Sequence, residues 1–169
     1  MSSFTIRAVE RGDREWAAAL LAEHWGSSAI VTRGRTHDAG SLPGFVAVID
    51  GERCGLVTYR VEGGTCEVVS LNSLREREGV GSALLLAVAD EARRAGCSRF
   101  FLITTNDNLP AILLYKKRGF VIRAVHRNAL DLSRLLKPRI PLAGLQGIPL
   151  RHEVELELPI APPARDPGE

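Results

Sequence analysis

Leu71-Asn-Ser-Leu-Arg-Glu-Arg-Glu-Gly79-Val-Gly81-Ser-Ala-Leu84 joins a strand-like run to a helix-like one, and its surroundings decide the fold. Behind it, Thr65 to Leu71 reads as a strand. Ahead, Val80, Leu84, Val88 and Ala92 recur at helical spacing until Gly96 ends the helix, where a left-handed residue is needed. Arg99 to Thr104 (RFFLIT) is then a nearly all-apolar strand, as expected of one covered on both faces. A strand–helix–strand unit of this kind requires a parallel pair with a right-handed crossover. Upstream, the order reverses. Phe45 to Ile49 and Cys54 to Val61 flank Asp50-Gly51, whose residues tolerate the positive φ of a tight hairpin, and Gly63-Gly64 turns the chain again into Thr65. Three strands in meander are antiparallel. The pattern predicts an α/β fold with a mixed, mostly antiparallel central sheet and one parallel strand pair. The hairpins exclude an all-parallel doubly wound sheet.

Further out, Phe4 to Val9 reads as a first strand, and Asp13 is placed to cap a helix carrying Trp16, Leu20 and Leu21 on one face. The stretch from Gly26 to Gly44 is rich in glycine, serine and threonine without clear periodicity, and reads as loop with at most one helical turn. Downstream, Asn108 is placed to cap a helix with Pro110 in its first turn, where a missing N–H costs nothing, and Gly119 ends it. Phe120 to Val125 follows as a strand, Ala129 to Leu136 as a short helix, and Glu153 to Leu158 as a half-exposed strand alternating glutamate with apolar residues. One domain is expected over residues 1–158, and a disordered, proline-rich tail over residues 159–169. The final strand, read as a free edge, is compatible with a homodimer.

Composition narrows the functional classes. With 169 residues, 45% hydrophobic and 25% charged, the chain has the size and make-up of one globular domain. A net charge of +2 and no basic stripe argue against a nucleic-acid partner. No apolar run approaches the roughly 20 residues that span a bilayer, and the N-terminus has no signal pattern, so no membrane association is expected. Cys54, Cys66 and Cys97 are odd in number and lack CxxC spacing, which speaks against a disulfide framework or metal site and for a reducing, cytoplasmic setting.

The glycine-bearing turn is also the chemical clue. The first N–H groups of a helix lack internal partners and carry partial positive charge. Glycines at 79 and 81 remove side chains that would hold a phosphate away, so the turn suits a pyrophosphate. A tight turn with no ligand would look the same. No GK[ST] follows, and no third glycine completes a dinucleotide fingerprint. The second informative segment is Asn108-Leu-Pro-Ala111-Ile-Leu-Leu-Tyr115-Lys-Lys117-Arg-Gly119-Phe120, which on its own reads equally as an amphipathic helix with a packed tyrosine.

Together the two segments resemble the GNAT superfamily of N-acetyltransferases. The first is similar to its CoA motif Q/R-x-x-G-x-G/A, and the second to its N-x-x-A-x-x-x-Y-x-K-x-G-F stretch. The resemblance spans Phe4 to Leu158 in strand order and spacing, and the region from His126 to Leu150 is similar to a bacterial subgroup. It departs at one place: Glu76 stands at the Q/R position, between Arg75 and Arg77 and close to Glu78.

The resemblance implies acetyl-CoA as acyl donor, no metal, and a small-molecule or peptide amine as acceptor. It implies that the backbone from Arg77 through Gly79, Val80, Gly81 and Ser82 holds the pyrophosphate, that Leu71 N–H faces the acetyl carbonyl, and that Asn108 bonds the CoA arm. Asn108 would serve equally as a helix cap. Tyr115 is implied as general acid, with packing against CoA as the alternative, and Glu67 as base, directly or through water. Strand alternation would place Glu67 on one face with Val69 and Leu71. A solvated surface glutamate is the plainer reading of Glu67, and His37 and His126 stand in reserve. Trp25, Arg33, Arg35 and His37 fall where the family builds its acceptor wall, and the two arginines would read a carboxylate or simply face solvent. The competing function is a GNAT-like module that binds acyl-CoA with little or no turnover, a reading fed by Glu76.

Overall fold

The computed structural model describes residues 3–160. A seven-stranded mixed sheet divides the domain, built from β1 (Thr5–Ala8), β4 (Gly44–Ile49), β5 (Glu52–Glu62), β6 (Thr65–Ser73), β7 (Arg99–Thr105), β8 (Val121–His126) and β9 (Glu153–Leu158). Strand order is β1-β4-β5-β6-β7-β9-β8, and β6–β7 is the parallel pair. A separate hairpin of β2 (Ala29–Thr32) and β3 (Arg35–Asp38) lies between α1 (Arg14–Trp25) and β4. The remaining helices are α2 (Val80–Arg94), α3 (Leu109–Lys117) and α4 (Ala129–Leu136).

The sheet has an apolar layer on each face. Leu84, Val88 and Ala92 of α2 pack on Val57, Cys66, Phe100 and Leu156 on one face, with Tyr115 and Phe120 at the α3 end. Ala17, Leu20 and Leu21 of α1 pack on Val46, Leu56 and Val69 on the other, joined by Ile30 and Ala39 from the hairpin. The α2 layer lies so close to β5 that a Cβ on Gly55 would stand 2.7 Å from Val80 Cγ1. That close approach anchors the helix whose N-terminus carries Gly79 and Gly81.

Six expectations need correction. The stretch from Gly26 to Gly44 holds the β2–β3 hairpin rather than loop, turned by Arg33 and Gly34 at φ 51° and 70°. Asp13 does stand at the N-cap of α1, but its carboxylate does not cap that helix. It accepts from Glu10 N–H at 2.8 Å, closing the 3₁₀ turn at Arg11–Asp13, and pairs with Arg7 Nη1 at 2.7 Å and Arg53 Nε at 2.8 Å. Asn108 makes no cap bond and donates instead to Thr104 Oγ1 at 3.3 Å. The final strand is not an edge: β9 lies between β7 and β8, because Val154 and Leu156 must be buried beside Leu102. The edge argument for a homodimer therefore falls, since among the described residues the outer strands are β1 and β8. Ile160, assigned to the tail, is buried in the core; residues 161–169 of the expected tail lie outside the described residues.

The sixth correction positions the site. Thr58 pairs with Ser70 while Tyr59 pairs with Val68, so Val69 is an extra residue in β6. A bulge bends its strand and shifts the alternation by one. Glu67 and Val69 face α1 and the hairpin, whereas Leu71 is turned to the α2 layer. The expected grouping of Glu67 with Leu71 is broken by that one inserted residue.

Candidate active site

The bulge coincides with a split in the sheet. Pairing of β6 with β7 runs only from Thr65↔Arg99 to Val68↔Leu102, after which the strands part. A cavity of about 260 Å³ fills the opening. Val69, Ser70 and Leu71 line one side and Ile103 and Thr104 the other; Gly81 enters from α2, and Asn108, Ala111, Leu114 and Tyr115 from α3. Trp25, at the end of α1, closes the far side, its indole N–H 3.5 Å from Asn72 Oδ1. Because α3 and α1 flank opposite faces of the sheet, the opening is a passage through it. One ligand can approach from the α2–α3 side and another from the α1 side.

The glycine turn stands at the mouth of this passage. Gly79 is the N-cap of α2 with φ 80°, a conformation for which glycine carries no penalty. A Cβ on Gly79 or Gly81 would meet nothing within 4 Å, so the space in front of the helix N-terminus is open. Val80 turns its side chain into the core and leaves its backbone at the turn. Ser82 faces a neighbouring apolar recess with Leu85, Phe100 and Phe120. Arg77 adopts φ 62°, and Arg75, Glu76, Arg77 and Glu78 are all exposed. The two carboxylates therefore keep their hydration, which limits their repulsion of an anion at the turn. Unpaired N–H groups, open space and a channel between parting strands fit a pyrophosphate with a long arm behind it.

Tyr115 is buried, its ring 5.6 Å from that of Phe120, and burial alone pushes its phenol up to about 12. It remains protonated at neutral pH. Glu67 lies off the cavity lining, on the α1 face beside the bulge. Its Oε2 accepts from Thr32 Oγ1 at 2.8 Å, and His37 Nε2 stands 3.9 Å away. Burial raises its pKa above the usual carboxylate range, opposed by the Thr32 hydrogen bond. Burial likewise lowers the pKa of His37, reinforced by Arg35 and Arg60.

Several sequence-derived candidates thus converge: Leu71, Gly81, Asn108, Tyr115 and Trp25 share one cavity, with Gly79, Val80 and Ser82 at its mouth. Others do not. Arg33 is exposed at the hairpin tip, where its backbone N–H donates to Glu153 at 2.9 Å, and Arg35 pairs with Glu62 at 2.6 Å on the surface. His126 is held 3.0 Å from Glu155. Sequence reasoning missed Thr32 and Glu153. The run Ala29-Ile-Val-Thr32 before Arg33-Gly34 was the available signal for Thr32, since β-branched residues ahead of a glycine turn suit a hairpin. Nothing in the alternation of β9 distinguishes Glu153 from its neighbours.

Comparison with known proteins agrees with this geometry. Residues 10–120 match the model of the acetyltransferase (GNAT) family. The chain is 43% identical over 136 residues to the uncharacterized protein YdhI of Bacillus subtilis, covering 80% of this chain and 85% of that one. It is 34% identical over 137 residues to a mycothiol acetyltransferase of Clavibacter michiganensis, covering 74% of this chain but only 43% of that longer protein. A GNAT family acetyltransferase from Elizabethkingia anophelis, solved with acetyl-CoA bound, superimposes with a TM-score of 0.69 at 18% identity over 95% of this chain and all of that one, a likeness of fold.

Proposed function

Since the chain belongs to the GNAT acetyltransferase family, we propose that it moves the acetyl group of acetyl-CoA to a primary amine of a small molecule, amino acid or peptide by direct attack. The observation that carries this reading is the passage through the sheet. It is open where β6 and β7 part, with a helix N-terminus at one end and a protonated tyrosine in its wall. Acetyl-CoA supplies an activated acyl group; the rest of the chemistry falls to the chain.

The backbone from Arg77 to Ser82 holds the pyrophosphate, and Asn108 bonds the pantetheine arm. Leu71 N–H donates to the acetyl oxygen as negative charge develops there; one such donor in a dry site contributes about 3 kcal/mol. Glu67, raised by burial, takes the proton of the amine directly or through water. Tyr115 gives its proton to the departing thiolate, and at about 12 it does so only in concert with bond cleavage. The acceptor enters from the α1 face past Trp25. Arg33 and Arg35 sit beyond this cavity, so a role in acceptor binding would require contact at the hairpin rim.

The test is acetyl-dependent thiol release across amino acids, polyamines, aminoglycosides and short peptides, with mass analysis of the acceptor. Thiol release that depends on an amine and yields an acetylated amine supports the proposal. Thiol release unchanged by every amine, with acetate as the product, refutes transfer to an amine.

A further inference from the structure

Thr32 Oγ1 sits between two partners, 2.8 Å from Glu67 Oε2 and 2.8 Å from His37 Nε2. A hydroxyl has one hydrogen to give. An ionised Glu67 is acceptor-only, so Thr32 donates to it, and the bond to His37 is then made by a hydrogen on Nε2. His37 is therefore the neutral Nε2–H tautomer with a bare Nδ1. Nδ1 is buried and has no partner among the described residues, where a hydrogen on it would be an unmet donor. A chain of donors runs His37 Nε2–H to Thr32 O–H to Glu67 Oε2. His37 is 1% exposed, so the chain has no outlet to water at its His37 end and cannot carry protons away through the imidazole.

We infer that His37, acting through Thr32, is a positioning residue that keeps Oε2 of Glu67 an acceptor and makes Oε1 the oxygen that takes the acceptor's proton. The step balances within the proposed transfer: the N–H bond of the ammonium breaks, its electron pair stays on nitrogen, and an O–H bond forms at Oε1. A proton on Oε2 would leave three hydrogens to share between Thr32 and its two neighbours, with one unmet. The inference rests on Glu67 as base, but its direct consequence, the ionisation of Glu67, is measurable without substrate. The titratable and charged groups facing Glu67 are Arg35 and the neutral His37 from β3, Arg60 from β5 and Glu153 from β9; Arg35, Arg60 and Glu62 face His37.

The experiment follows the Glu67 side-chain carboxyl carbon by NMR against pH in the protein without ligands, with Glu67→Gln to identify the resonance. Removing the hydroxyl in Thr32→Val, a change of little volume, should raise the titration midpoint by about one to two pH units, the worth of one hydrogen bond to a charged group. Thr32→Ser should restore the parent value. His37→Phe should raise the midpoint less, because Thr32 remains but is no longer oriented. Imidazole nitrogen shifts should show His37 neutral and protonated on Nε2 at pH 7. An unchanged midpoint in Thr32→Val, or an Nδ1–H ring, overturns the inference. With an accepted amine, the acid limb of kcat/KM should move with the midpoint. If Glu67→Gln keeps full kcat while Thr32→Val still shifts the midpoint, the base assignment fails and the hydrogen-bond chain stands.

Discussion

Replacing Gly81 with valine separates ligand binding from folding. A Cβ at this position meets nothing within 4 Å, so the first added carbon enters open space. The helix propensities of glycine and valine differ by only a few tenths of a kcal/mol, so the unliganded variant should unfold within about 0.5 kcal/mol of the parent. The open space is where the pyrophosphate is expected, and there three extra carbons have no room beside it. At a hundred times Kd, a ligand that binds only the folded state adds about 2.7 kcal/mol. For a chain of this size that is roughly 5–11 °C in melting temperature. Scanning fluorimetry with and without acetyl-CoA should show that rise in the parent and none in Gly81→Val. A variant that melts like the parent unliganded and gains the same rise with acetyl-CoA would refute the cradle.

Tyr115→Phe keeps the ring against Phe120 and removes the proton; kcat should fall about 100-fold with KM for acetyl-CoA little changed, and a loss confined to KM would leave Tyr115 as a packing residue. Leu84→Ala empties a fully buried position between α2 and the sheet and should cost about 2–5 kcal/mol in urea unfolding. Arg7, then the Glu10 N–H and Arg53, hold the Asp13 carboxyl well below the usual range against the cost of burial. A group whose folded pKa is lowered stabilises above its unfolded value, about 3.9, and that contribution is lost as pH falls toward the folded value. Stability should therefore drop below about pH 4 in the parent and less steeply in Asp13→Asn; equal slopes would remove Asp13 from the acid response.

What the sequence made legible was whatever depends on local pattern. The Asp50-Gly51 turn, the helical spacing of Val80, Leu84 and Val88, and the apolar run at Arg99 define three strands and a helix, and all lie where they were expected. Placement across the sheet was not legible. That β9 inserts between β7 and β8 follows from the burial of Val154 and Leu156 against strands distant in sequence, which no local window contains. The bulge at Val69 depends on pairing with β5, so the face presented by Glu67 could not be read from alternation alone. For the candidate site, the glycine turn and the Tyr115 helix were each ambiguous alone and pointed to a site only as a pair, through the family resemblance. Thr32 did not, because its relation to Glu67 exists only once the hairpin folds over β6.

The central claim is that the parting of β6 and β7 holds the acetyl thioester. A crystal structure with acetyl-CoA bound tests it most directly. The account predicts the pyrophosphate on the N–H groups of Gly79 to Ser82, the acetyl oxygen about 2.7–3.1 Å from Leu71 N, and the sulfur within reach of the Tyr115 hydroxyl. Acetyl-CoA bound elsewhere, for instance in the recess of Ser82, Leu85 and Phe120 with the strand opening left to water, would contradict it.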